Sequence, residues 1–157
     1  MQMKKTRATK TVTTAPVLRS KMQRAAERRN TGITIASAAL KAATNALRRH
    51  AHPYNIDANA QIAHDAGTGA MQREHTAIAE MLRAIRTGRD VDTALAMIGE
   101  FATQRRVDEL RTNAERLRVS KGDDLYALEW ADEQEAIATL YAAILSERRA
   151  ETKAKGR

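Results

Sequence analysis

The side chains best suited to chemistry in this chain are its four histidines. His50 and His52 flank one alanine at a predicted helix end. A metal site there would need a third ligand, such as Asp57 or His64, brought in by the fold. The alternative is that both rings are solvated in a basic loop, which requires no further ligand. We therefore predict no metal site and no cofactor.

Acid–base chemistry would need a carboxylate and an imidazole aligned with a nucleophile. Glu74 and His75 are adjacent, whereas di-iron carboxylate bundles use Glu-x-x-His on each of two helices. His64 and Asp65 form a second pair, but neither pair is accompanied by a nucleophile or an oxyanion-stabilising group. His75 is better explained as a partly buried, hydrogen-bonded side chain. We expect no catalytic residue and predict that the chain is not an enzyme.

Two glycine-containing motifs could position a ligand. Gly67–Gly69 is too short for a phosphate loop and follows no strand, so a helix break is the simpler interpretation. Gln61–Gly67 resembles the start of a helix-turn-helix, whose second helix should offer an apolar residue roughly six positions after the glycine. Arg73 occupies that position here. A true helix-turn-helix and a bundle helix broken by glycine both remain open.

The strongest functional signal is the distribution of charge. Residues 1–50 contain 12 of the 27 Lys and Arg but only one of the 19 acidic residues, so they carry +11. The rest of the chain carries −3, which gives the net charge of +8. Lys and Arg neutralise phosphates and release counterions. The predicted polyanion-binding residues are Lys4, Lys5, Arg7, Lys10, Arg19, Lys21, Arg24, Arg28, Arg29, Lys41, Arg48 and Arg49.

The residue types in this basic third limit what it could bind. Residues 1–53 contain no aromatic side chain, which disfavours stacking on single-stranded bases. No motif for reading base edges accompanies the charge. We therefore predict sequence-independent contact with a nucleic-acid backbone. The alternative is an acidic protein surface, met by a phage virion structural or adaptor subunit or by an inhibitor. A membrane is disfavoured because the apolar face of 17–26 is small and lacks Trp and Phe.

The composition predicts an all-α fold. The chain contains 31 alanines but only five aromatic residues and five valines, a balance that favours helix over strand. We predict an antiparallel bundle of about five helices with an extended basic N-terminal arm. Because alanine buries little area, the core should be thin. We therefore expect a homo-oligomer or a subunit of a larger complex.

Composition shifts and breakers divide the chain. Residues 1–14 have no apolar period and predict a flexible basic arm. Residues 15–150 form one predicted helical domain, with basic helices over 15–50 and a near-neutral to acidic body over 57–150. Residues 151–157 are predicted to fray. In the first helix, Val17, Leu18, Met22, Ala25 and Ala26 make the apolar face.

The clearest helical period in the chain lies between Ala70 and Arg86. Its apolar positions repeat in steps of four and three, like a heptad seam. We predict that this seam packs helices within the chain or between subunits, and its residues are Met71, His75, Ile78, Leu82 and Ile85.

Capping and breaking residues predict the remaining helix boundaries. The second helix is expected over 33–50, and a third segment begins as a short stretch capped by Asp57. Asp90 is expected to cap a fourth helix, which bends or shifts phase near 104–106. The last helix begins after Asp123 or Asp124. Its expected core face contains Leu125, Leu128, Ile137, Leu140, Tyr141, Ile144 and Leu145, with Tyr126 and Trp130 at one end.

The sequence gives weaker indications of location. The chain contains no cysteine, which fits a reducing compartment. The basic N-terminus has no apolar stretch of the secretory type, but a transit peptide within residues 1–50 stays open. A small, Cys-free protein rich in Ala and Arg suits a bacteriophage or mobile element. We expect the bacterial cytoplasm or a virion.

Overall fold

The computed structural model describes residues 34–35 and 37–156. The predicted arm (1–14) and the first predicted helix lie outside these residues. The all-α prediction is confirmed, since 84% of the described residues are helical and none of them lies in a strand. Within this part of the chain, no helix is long and apolar enough to cross a bilayer.

The described residues form six α-helices, more than the five that we expected for the whole chain. A 3-10 turn, Gly99–Phe101, separates the fourth helix from the fifth. The helices are α1 (Ala38–Arg48), α2 (Pro53–Ala66), α3 (Gly69–Thr87), α4 (Val91–Ile98), α5 (Gln104–Ser120) and α6 (Leu125–Lys155).

Side-chain caps fix the starts of three helices. The hydroxyl oxygens of Ser37 and Thr103 accept from the backbone N–H groups of Leu40 and Arg106, at 3.0 and 3.1 Å. Asp124, one of the two predicted caps, accepts from the N–H of Tyr126 at 2.9 Å. Each bond satisfies an amide that the first helical turn leaves unpaired.

Residues with a left-handed backbone conformation end two of the helices and precede a third. Gly67 (φ 60°), where the sequence predicted a break, terminates α2, and Gly88 (φ 71°), just after the period between Ala70 and Arg86, terminates α3. Asp90 precedes α4 as predicted, but it also has a positive φ of 55° and its side chain makes no capping bond. This conformation is strained for a residue that carries a Cβ.

Three predicted boundaries were wrong. α1 begins at Ala38 rather than at residue 33, because Ser37 caps it. α2 begins at Pro53 rather than after Asp57, since proline suits the first position of a helix. The predicted bend near 104–106 is a complete break over Gly99–Thr103, where Arg148 donates to the carbonyl oxygen of Gly99 at 2.7 Å.

The helices share one apolar core. α5 packs along α6 and α2 packs along α3, while α1 lies against both α6 and α3. Alanine supplies 15 of the 31 buried apolar residues in the described part, so the core is built largely from small side chains. The largest fully buried side chains are Tyr141, Leu40, Leu47, Met81, Leu82, Leu95, Met97, Ile98, Leu140, Ile144 and Val107.

The predicted seam of α3 is only partly a packing surface. Ile78, Leu82 and Ile85 are buried in the core, as a helix-packing face requires. Met71 is 57% exposed and His75 is half-buried. The seam is therefore increasingly exposed to solvent toward the start of α3.

The last helix differs from its prediction at both ends. Leu125, Tyr126 and Trp130 were expected at the core face but are exposed. At the other end α6 continues to Lys155, through most of the segment expected to fray (151–157). Lys153 and Lys155 occupy the last turn, where positive charge interacts favourably with the helix dipole.

Candidate functional site

The predicted basic surface is described only at its C-terminal edge. Lys41, Arg48 and Arg49 are all exposed on or just after α1. Lys41 and Arg48 are two helical turns apart and share one side of the helix. The other nine predicted polyanion-binding residues lie outside the described part of the chain: Lys4, Lys5, Arg7, Lys10, Arg19, Lys21, Arg24, Arg28 and Arg29.

The opposite side of α1 fixes the orientation of these cations. Leu40, Ala43 and Leu47 are almost completely buried, at steps of three and four residues. This spacing makes one apolar stripe, so the neighbouring positions must face outward. Lys41 and Arg48 are thus available to a phosphate backbone or to a carboxylate-rich surface.

A buried carboxylate forms the most extensively bonded polar site among the described residues. Glu74 on α3 accepts from Arg106 of α5, with Nε at 3.0 and 2.9 Å from its two oxygens and a terminal nitrogen at 2.6 Å from Oε1. The Tyr141 hydroxyl of α6 donates to Oε2 of Glu74 at 3.1 Å. Arg106 also donates to Glu109 at 3.2 Å. The cluster therefore ties three helices together.

The surroundings of this cluster indicate a structural role. The hydrogen bond to Glu74 raises the pKa of Arg106 further, against the opposing effect of burial. Burial, followed by the negative charge of Glu74, raises the pKa of Tyr141 well above its usual range. Arg106 and Tyr141 thus keep their protons at neutral pH. A carboxylate already held by two donors is poorly placed to act as a general base.

A groove of about 680 Å³ lies beside this cluster. Met71, His75, Phe101 and Arg105 are among its lining residues. Burial lowers the pKa of His75, and its Nδ1 has no hydrogen-bond partner among the described residues. The expectation of a partly buried His75 is met, whereas the expected hydrogen bond is absent at that nitrogen.

His50 contradicts the prediction of a solvated loop histidine. Its side chain is buried, and neither ring nitrogen has a hydrogen-bond partner in the described part of the chain. The turn after α1 folds it inward, since the His50 N–H donates to the Leu47 carbonyl and Asn55 donates to the His50 carbonyl. Burial, and then the charge of Arg49, lower the pKa of His50.

His52 lies at the surface of the same turn. It is half-buried and stacks on Tyr54, with ring centroids 6.2 Å apart. His64 is exposed, and its Nδ1 lies 3.2 Å from Asp65. Among the described residues, no three His, Asp or Glu side chains come close enough together to hold a metal ion.

A second buried carboxylate joins α2 to α6. Asn59 donates to Glu133 at 3.1 Å, and both side chains are buried. Burial raises the pKa of Glu133, opposed by the hydrogen bond from Asn59. Sequence reasoning missed this pair. The only available signal was an acidic residue two turns after Tyr126, on what was otherwise an apolar face.

The start of α6 carries an exposed apolar surface. Leu125 is 79% exposed, Tyr126 77% and Trp130 57%. We refer to these three residues as the α6-start patch. Tyr126 and Trp130 are four residues apart and therefore lie on one side of the helix. Three large apolar side chains within two helical turns are therefore left exposed.

The glycine break is a compact junction between α2 and α3. Gly67 ends α2, Thr68 precedes α3, and the two helices pack together along their length. Arg73, at the position where a helix-turn-helix would place an apolar residue, is exposed. This arrangement also fits the alternative of a helix pair broken by glycine, so the first interpretation remains a prediction.

No protein-family model matches this chain, and neither a curated protein nor a solved structure gives a significant match.

Proposed function

We propose that this all-α protein, packed as an antiparallel bundle, is not an enzyme and works within a larger assembly, in the cytoplasm of a bacterial host or in a virion. Its basic N-terminal third contacts a nucleic-acid backbone without sequence specificity. The supporting observation is the charge of +11 on residues 1–50. The described end of that region, Lys41, Arg48 and Arg49, faces outward from α1.

Backbone contact follows from the kinds of residue present. The cations are spread over both the N-terminal segment and the outer side of α1, so they can follow a line of phosphates. Each neutralised phosphate releases counterions, which makes the affinity strongly dependent on salt. The sequence of this region contains no motif for reading base edges, so we expect the contact to be independent of base sequence.

Binding of a fluorescent DNA or RNA duplex at several salt concentrations tests the proposal. The affinity should fall by about 1,000-fold or more between roughly 50 and 200 mM salt, if six or more phosphates are neutralised. Reversing three charges in the variant R24E/R28E/R29E should abolish binding.

The matched control reverses three exposed arginines of the body, R86E/R89E/R116E, and changes the net charge equally. This control should retain binding if location matters as well as total charge. Affinity that does not change over this salt range would contradict the phosphate model.

The α6-start patch favours a second candidate, a protein-interaction module. Such a module would be a phage virion structural or adaptor subunit, or an inhibitor docking on an acidic host protein, and would work as a homo-oligomer or a subunit. Exposed Tyr and Trp are typical anchors of protein interfaces. A pull-down from host lysate with and without nuclease separates the two candidates, because only bridging by nucleic acid is lost after nuclease treatment.

A further inference from the structure

The α6-start patch continues a stripe that is buried further along the same helix. Tyr126, Trp130, Ile137 and Ile144 are separated by four, seven and seven residues, so they lie on one side of α6. Ile137 is only 3% exposed and Ile144 is completely buried. The stripe becomes exposed at Tyr126 and Trp130, because no described helix packs over these two residues.

The stretch around this patch is strongly acidic. Residues 122–136 contain six acidic residues and no Lys or Arg. Two of the carboxylates are paired with Arg118, at 3.0 Å for Asp132 and 3.4 Å for Glu135. Asp123 and Glu129 remain at the surface next to the patch. An occupant should therefore be apolar on one side and basic on the other.

Residues 15–29 of the same chain have this character. Their apolar positions Val17, Leu18 and Met22 are spaced for one side of a helix. The same stretch contains five Lys or Arg and one acidic residue. Charge complementarity would bring this segment to the acidic stretch of α6 and orient it there.

The position at which the described chain begins allows this contact. The backbone N–H of Ile35 donates to Asp92 at 3.0 Å, which anchors the chain beside the start of α4. α1 then has 11 residues, about 16 Å in length. It leads to His50, which lies close enough to Glu129 and Asp132 for their charges to act on it.

A segment returning from residue 34 must therefore cover about the length of α1. Extended chain spans roughly 3.3 Å per residue, so the five residues 30–34 are sufficient. Residues 30–34 therefore give residues 15–29 a reach comparable with the length of α1.

We propose that residues 15–29 dock in cis on the α6-start patch, with Val17, Leu18 and Met22 against Tyr126 and Trp130 and with the arginines beside the acidic stretch of α6. A second copy of the patch is a poorer occupant, because it would place two acidic stretches against each other. The docking does not depend on the proposed function.

The chain's single tryptophan, Trp130, provides a direct readout. Acrylamide quenching of its fluorescence is measured on the full chain and on the variant L18D/M22D. Undocking should raise the quenching constant by about twofold and shift the emission to longer wavelength, since Trp130 becomes accessible to solvent. The matched control M3D places a charge in the part of the arm without an apolar period and should behave as wild type.

Cross-linking gives a second measurement that does not depend on fluorescence. The chain contains no cysteine, so the pair Q23C/L125C introduces the only two thiols, each beside a proposed contact residue. A short bismaleimide should join them within one molecule. The control pair Q23C/T112C places the second thiol on the exposed side of α5 and should remain unjoined.

Three results would overturn the proposal. The first is equal quenching of Trp130 in wild type and L18D/M22D. The second is quenching in wild type that decreases as protein concentration rises, which would assign the cover to another copy. The third is cross-linking that occurs only between molecules.

Docking and nucleic-acid binding would use the same arginines and should compete. Adding a DNA duplex to the full chain should therefore raise the quenching of Trp130 by acrylamide. This last step depends on the proposed function. If Trp130 is protected in wild type and no duplex binds, the docking stands and the proposed function fails.

Discussion

The two ends of one apolar stripe on α6 differ in their surroundings. In its middle, Ile137 and Tyr141 are enclosed by helices on several sides, and the Tyr141 hydroxyl bonds to the Glu74–Arg106 pair. At its start, Tyr126 and Trp130 have similar residue types and the same spacing but face solvent. The apolar pattern is therefore not what decides burial. The length and placement of the neighbouring helices decide it.

The polar groups beside the two ends also differ. In the covered part, Glu74 accepts from both Arg106 and Tyr141. Near the start of α6, His50 is buried without a partner for either ring nitrogen in the described part of the chain. Buried polar groups contribute to stability only when they are hydrogen-bonded. We therefore expect the covered part to contribute most to the stability of the fold. Near the start of α6, we expect stability to depend on pH.

The largest effect is expected from removing the cation of the covered cluster. Arg106→Met leaves the Glu74 carboxylate buried without its charge partner and should lower the free energy of unfolding by about 4 kcal/mol. Urea denaturation monitored by circular dichroism measures this loss. Arg105→Met is the control, because that side chain is exposed and should have little effect.

The double variant R106M/E74Q sharpens the same test. It removes the buried negative charge together with its partner and should recover a large part of the lost stability. A loss of under about 1 kcal/mol for Arg106→Met would mean that water solvates Glu74 readily, and the cluster would then not distinguish the covered part.

A pair of alanine substitutions compares the two ends of the stripe directly. Ile137→Ala should cost about 3 kcal/mol, because it removes buried methylene groups and leaves a cavity. Trp130→Ala should cost about 1 kcal/mol if residues 15–29 cover it only from one side, and close to zero in the L18D/M22D background. Denaturation midpoints of these variants provide the measurement. Equal losses at the two positions would show that the stripe is covered throughout.

The smallest expected effect is a dependence of protein stability on pH, through ionisable groups near the start of α6. Burial lowers the pKa of His50, so the unfolded state binds the proton more readily than the folded state. Stability should therefore decrease as pH falls below the unfolded value of about 6.5. Burial raises the pKa of Glu133, and its contribution has the opposite sign: it is present at low pH and lost as pH rises through the folded pKa.

Thermal denaturation between pH 5 and pH 7 tests both signs. His50→Leu should reduce the loss of stability on acidification, whereas Glu133→Gln should remove the opposing contribution and steepen that loss. Parallel pH profiles for wild type and H50L would show that His50 is solvated and that the two ends do not differ in this respect.

Local signals predicted much of the fold. Gly67, Gly88 and Asp124 mark helix boundaries where backbone conformation and capping place them, because these effects act within a few residues. The period of α3 correctly placed Ile78 and Leu82 in the core. These features depend on chain geometry that the sequence encodes directly.

Interactions between distant residues could not be predicted from one sequence. Glu74 is 32 residues from Arg106 and 67 from Tyr141, and no periodicity connects them. His50 and Trp130 were misplaced for a related reason: each follows a plausible local pattern, but its burial depends on how other helices end nearby. The sequence alone identified the cations of the candidate basic site. The structure describes three of them, Lys41, Arg48 and Arg49, and all three face outward.

The contact between α1 and α6 has a consequence for folding on the ribosome. α1 is the first described helix to be synthesised and α6 is the last, yet the two helices pack together, and Leu40 and Leu47 of α1 are buried in the core. Until α6 emerges, the apolar side of α1 lacks a large part of its cover, and long-range closure is slow compared with local helix pairing. The helix pair α2–α3 can form before α6 is synthesised, whereas α1 and α5 gain their cover from α6 only once that helix has emerged.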